Sequence, residues 1–148
     1  MATVELAFSA LPVHVRTARL IVTAVARRSG VEEALLDEVR LAVGEACSRA
    51  VAAHRLHCPQ QPVRLELRDD NGRFEVVVND TAPDGKLAGE LPAISPDGVG
   101  GDDPDDPDVL GLAVISGLVD DVEIAPTSAG GTQIRMGWPV DAKKNVNE

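Results

Sequence analysis

The sequence predicts an α+β domain, a two-layer α/β sandwich with a mixed, mostly antiparallel sheet covered on one face by helices. Three observations carry this. Two long stretches, about 13–28 and 32–53, set apolar residues near helical spacing. Five short stretches, around 4–8, 63–67, 74–78, 122–125 and 133–140, read as strands. The length of 148 residues suits one domain, 1–148, and 44% apolar residues suffice for its core.

The first strand rests on Val4, Leu6 and Phe8. A helix follows from about Val13 to Arg28, its inward set Val15, Ala18, Ile21, Val22 and Val25, and Gly30 stops it. The second helix opens at Glu32-Glu33, with acids at the positive end of its dipole. It runs to about Ala53 through Leu35, Leu36, Val39, Ala42, Val43, Ala46 and Ala50. The period then changes to two. Val63, Leu65 and Leu67 alternate, Asp70-Asn71-Gly72 supplies the positive φ of a tight turn, and Phe74, Val76 and Val78 alternate on the return strand. Residues 81–108 carry five prolines, several glycines and a run of aspartates, which predicts a long mobile loop over 84–108. A short helix at Leu110–Val119, a strand at Val122–Ala125, a Gly130-Gly131 turn and a strand at Gln133–Val140 complete the order.

The net charge is −10, from 24 acidic against 14 basic residues. Such a surface repels phosphates, which argues against direct nucleic-acid binding and for a basic protein partner. The aromatics are Phe8, Phe74 and Trp138, too few for base-stacking platforms. Cys47 and Cys58 match neither a paired zinc pattern nor a disulfide framework, so no metal site is expected and both read as reduced thiols. The N-terminal residues lack a basic region followed by an apolar run, and no apolar stretch is long enough to span a bilayer. The expected location is the cytoplasm, with no membrane association.

Four places could carry chemistry. Glu45 lies among small and apolar residues in Leu41-Ala42-Val43-Gly44-Glu45-Ala46-Cys47-Ser48-Arg49, so it either enters a cleft or flanks the core as a solvated or paired acid. Asp80 ends a strand in Val78-Asn79-Asp80-Thr81-Ala82-Pro83, which by itself also fits a turn-forming aspartate. Gly111, in Asp108-Val109-Leu110-Gly111-Leu112, stands where a loop feeds a helix start, a place where backbone N–H groups can hold an anion. Gly130-Gly131-Thr132 enters the last strand, as a hairpin turn would.

In order and spacing these four places resemble the N box, G1 box, G2 box and terminal Gly-Thr motif of the ATPase superfamily that includes gyrase, heat-shock chaperones and histidine kinases. Within it the chain is most similar to the small serine-kinase branch of bacterial anti-sigma factors. The resemblance runs from about Leu11 to Pro139. His14-Val15-Arg16-Thr17-Ala18-Arg19 is similar to that branch's first helix, and Leu118-Val119-Asp120-Asp121-Val122-Glu123-Ile124 to the segment after its G2 box. It implies the histidine-kinase-like ATPase fold.

The resemblance makes Glu45 the general base and Asp80, Gly111 and Thr132 nucleotide-binding positions, with Asp80 reading the adenine amino group. Several parts depart from the pattern. The metal-binding Asn four residues after the base is Arg49, which has five donors, no acceptor and a permanent charge. Glu45 and Arg49 are also spaced i, i+4, so an ion pair that occupies the base is expected. Thr81-Ala82-Pro83 replaces the glycines after the G1 aspartate, and β-branched Val109 replaces the first G2 glycine. Asp102, Asp103, Asp105, Asp106 and Asp108 crowd the loop that would cover a triphosphate and would repel it.

The resemblance therefore implies a partner-switching protein. It would be an anti-sigma factor that sequesters a sigma factor and is released by an anti-sigma factor antagonist with a regulatory serine. It would lack kinase activity and need no cofactor. The alternative is an active Mg-ATP-dependent serine/threonine kinase that phosphorylates its antagonist, and a third reading is a regulatory domain with another partner. A homodimer is implied by the resemblance alone. Arg16 and Arg19, three apart on the first helix of an acidic protein, are the expected partner-binding residues.

Overall fold

The computed structural model describes residues 2–70, 72–82, 114–127 and 130–140. The chain enters as strand β1 (Ala2–Phe8) and turns into helix α1 (Pro12–Ser29). Pro12 starts α1 where its missing N–H costs nothing. Gly30 ends it at φ 103°, donating to the carbonyls of Ala26 and Arg27, while Val31 N–H donates to Ala26 O at 3.0 Å. This glycine-terminated motif satisfies carbonyls that the helix leaves open. Arg27 and Arg28 lie in the last turn of α1, and Glu33 opens α2 (Glu33–His57), both in the sense the helix dipole favours.

α2 runs four residues beyond the expected Ala53, because the helical stripe Val43, Cys47, Ala50 continues into His54, which is fully buried. Strands β2 (Val63–Asp70) and β3 (Arg73–Asn79) form the expected hairpin, with Gly72 at φ 74° in its turn. Strand β4 (Asp121–Pro126) returns antiparallel to β5 (Thr132–Pro139). The sheet order is β1-β2-β3-β5-β4, antiparallel at every described pairing, the simpler end of the expected range. Residues 114–118 are helical and Val119, expected to close the third helix, falls just past its end; residues 110–113 of that helix, Gly111 among them, together with Val109 and the whole 84–108 loop, lie outside the described residues.

The two faces of the sheet differ sharply. On one, Val63, Leu65 and Leu67, then Phe74, Val76 and Val78, then Ile134, Met136 and Trp138 form three adjacent apolar rows. They meet Val15, Ala18, Val22 and Ala26 of α1 and Leu36, Val39, Val43, Ala46 and Ala50 of α2 in one buried cluster. The other face carries charge. Arg135 on β5 donates to Glu75 at 2.7 Å, Asp121 at 3.1 Å and Glu123 at 3.3 Å, so a single guanidinium joins three strands. Cross-strand from Glu66 and Arg135, Val77 is only 1% exposed on this charged face. Long charged side chains cover an apolar residue in this way with their stems. Gly137 leaves room for the Arg73–Asp121 ion pair, which any Cβ there would strike. No described helix is long and apolar enough to cross a membrane.

Candidate functional site

Where β3 ends, the chain meets the start of β5. Asp80 N–H donates to Thr132 O at 3.0 Å, and Thr132 N–H donates to Asp80 Oδ1 at 3.1 Å. Ala82 N–H donates to the same oxygen at 3.2 Å, so the side chain of Asp80 folds back over its own strand exit. This closeness requires Gly131, since a Cβ there would collide with the Asp80 carbonyl. Asp80 and Thr132 are both buried.

Helix α2 supplies the third donor. Arg49 Nη1 donates to Asp80 Oδ2 at 3.1 Å, with the two side chains 2% and 4% exposed. Arg49 Nε is buried without a partner among the described residues. Five residues on, His54 ties the same segment down. Thr81 N–H donates to His54 Nε2 at 2.9 Å, which makes Nε2 the acceptor and leaves Nδ1–H to donate to Gln61 O at 2.8 Å. Cys58 Sγ lies 4.0 Å from Thr81 Oγ1. Asp80 is thus held by α2 and by β5, Thr81 by α2, and Ala82 by the side chain of Asp80.

This arrangement corrects one expectation. Arg49 pairs with Asp80 and not with Glu45. The reason is burial: a guanidinium on a side chain 2% exposed needs a desolvated counter-charge, and Asp80 is the one buried carboxylate among the described residues. Glu45, one turn earlier and only half-buried, makes no hydrogen bond or ion pair among the described residues. Glu38, Glu45 and Arg49 share one helical stripe; Glu38 accepts the indole N–H of Trp138 at 3.1 Å, and Arg49 turns to the opposite end of the strand pair. Gly111 lies outside the described residues.

Of the two arginines expected to bind partners, Arg16 is exposed and Arg19 is half-buried. A Cβ at Gly44 would stand 2.7 Å from Arg19 Cδ, so the glycine in α2 makes room for that side chain. Arg19 also faces Cys47, whose thiol burial pushes up to about 12 while the arginine charge partly opposes the rise. Away from these residues, a cleft of about 350 Å³ opens between β1 and α1, lined by Leu6, Phe8, His14, Thr17, Ala18 and Ile21. It contains none of the expected site residues.

The Mg-ATP that the resemblance implies can be tested against this geometry. Its adenine would need Asp80 as acceptor, but Oδ1 already takes two backbone N–H groups and Oδ2 takes Arg49. A cation at position 49 also excludes a metal ligand there. Among the described residues, Arg49 thus both replaces the metal ligand and engages the carboxylate that the resemblance assigns to adenine. His54 escaped the sequence reading, although its place on the apolar stripe of α2 was a signal that its ring would face inward.

A profile of the histidine kinase-like ATPase domain matches residues 8–138. Among solved structures, the crystal structure of the RsbU and RsbW domains of Rv1364c from Mycobacterium tuberculosis superposes with a TM-score of 0.64 at 16% identity. The match covers 95% of this chain and 33% of that one, so this chain spans about a third of the length of its structural neighbour. No curated protein matches.

Proposed function

The chain belongs to the histidine kinase-like ATPase domain family, and from that premise we propose that it is a partner-switching anti-sigma factor without kinase activity. It sequesters a sigma factor and is released when an antagonist with a regulatory serine competes for the same protein. The family, together with a structural neighbour that comprises RsbU and RsbW domains, supports the partner-switching class. The observation that carries the absence of kinase activity is the buried Arg49–Asp80 ion pair.

Phosphoryl transfer is chiefly positioning and charge stabilisation. A base at Glu45 acts only beside a placed γ-phosphate and its metal. Arg49 removes one metal ligand and occupies Asp80, and the five aspartates at 102–108 add negative charge to the segment that the family resemblance makes the phosphate-covering loop. Partner binding needs only a surface, and exposed Arg16 with half-buried Arg19 on α1 offers cationic contacts in an acidic protein. The same reading includes a cytoplasmic homodimer. One observation favours the active kinase as the rival: Glu45 is free of Arg49.

The test incubates wild type and Arg49→Asn with labelled ATP, Mg²⁺ and candidate antagonists recovered by capture from lysate. The expected result is no serine phosphorylation by either. Clear phosphorylation by wild type overturns the proposal. Phosphorylation by Arg49→Asn alone would place the whole defect at residue 49 and remove the argument from the acidic loop.

A further inference from the structure

We infer that Arg49 is the resident occupant of an acceptor site at Asp80, filling from within the chain the place of a planar N–H donor such as the amino edge of an adenine ring. Three features point there. Asp80 is oriented by groups outside Arg49: Oδ1 accepts from Ala82 and Thr132 N–H, and Gly131 permits the close approach that brings Thr132 there. Oδ2 is therefore held as a fixed acceptor that takes one side-chain donor, and Arg49 Nη1 is that donor. The fit of Arg49 is incomplete, because Nε is buried with no partner among the described residues. A guanidinium placed solely to stabilise a carboxylate commonly presents two donors in parallel; here one bond is made and one buried donor is left over. His54 keeps the neighbouring Thr81 amide engaged, so the acceptor's frame does not depend on what fills it.

The consequence is a site closed from inside. Folded wild type has no purine-dependent stabilisation, whereas a chain without the guanidinium exposes Oδ2 and a planar hole beside it. The inference concerns the ligand site only; capture of protein partners by wild type can succeed or fail without affecting it.

The experiment follows thermal unfolding of wild type, Arg49→Ala and the apolar double variant Arg49→Leu/Asp80→Leu, each alone, with adenosine and with methylguanidinium. Wild type and the double variant are expected to show no shift. Arg49→Ala is expected to melt lower and to regain about 4 °C or more with saturating adenosine or methylguanidinium. Should Arg49→Ala not fold alone, its refolding yield with and without each compound replaces the melting shift, and recovery with both is the supporting result. A shift of wild type by adenosine would overturn the inference, since the site would then be open. Failure of Arg49→Ala to respond to either compound overturns it as well. A response to methylguanidinium without adenosine would show an arginine-shaped hole only, and would overturn the assignment of a purine edge.

Discussion

Glycines at three positions in this fold answer to different constraints, and alanine separates them. At Gly131 a Cβ would strike the backbone of Asp80, which cannot give way without breaking the Asp80–Thr132 bridge. Gly131→Ala is expected to lower stability by about 3 kcal/mol or more, read by urea unfolding through the buried Trp138. At Gly44 the obstacle is the flexible Arg19 side chain, so Gly44→Ala should be tolerated, the gain in helix propensity offsetting the displaced arginine. Gly72, with φ 74° and open space around it, is constrained by conformation alone. The two thiols also differ. Cys47 is fully buried and its pKa stands near 12 against 9.0 for a free thiol. At pH 8 its buried thiol stays protonated and shielded from solvent, so a thiol reagent should modify Cys58 in the native protein and both cysteines in denaturant. The linkage has a definite sign. The folded pKa is raised, so the unfolded chain loses this proton first as pH rises. The contribution of Cys47 is complete below pH 9 and is lost towards pH 12, at no more than about 1.4 kcal/mol per pH unit. A chemical-denaturation series across that window, with Cys47→Ala as reference, measures it.

Among the elements, the hairpin β2–β3 and the end of α1 were the most legible. Alternation of Val63, Leu65, Leu67 with Phe74, Val76, Val78 fixes a face, and Asp70-Asn71-Gly72 fixes a register. Gly30 marks the end of α1 because the left-handed conformation that closes the helix penalises any Cβ. Gly30→Ala is accordingly expected to cost about 1 kcal/mol, with an unchanged denaturant slope as the check that only stability has moved. The end of α2 was less legible. Ala53 closes the aliphatic pattern, and a histidine near a helix end reads equally as a solvated dipole partner; its burial depends on Gln61 and Thr81, which lie 7 and 27 residues further on. His54→Ala would leave both backbone groups without their partner and is expected to cost about 2–4 kcal/mol, whereas Leu56, exposed on the same turn, should tolerate alanine.

Across the whole molecule, the Arg49–Asp80 pair is the contact whose loss should be felt most. Removing one member leaves a buried charge uncompensated, at about 3–5 kcal/mol. Asp80→Leu and Arg49→Leu should each be strongly destabilising, and the double variant less so than their sum; a double-mutant cycle in urea measures the coupling. The sequence by itself determined the fold class, the hairpin, the stop of α1 at Gly30 and the family resemblance, because these rest on local periodicity, turn chemistry and motif order. It also determined that residue 49 cannot ligate a metal, since that follows from the chemistry of arginine alone. The partner of Arg49 was decided only by the tertiary structure. Glu45, four residues away, is the partner that local spacing favours, and Asp80, 31 residues away, is the one chosen. Packing α2 against the sheet removes water from Arg49 and from Asp80 together and leaves Glu45 half-exposed, and in a desolvated interior a charge pairs with the carboxylate that shares its burial, not with the one nearest along the helix.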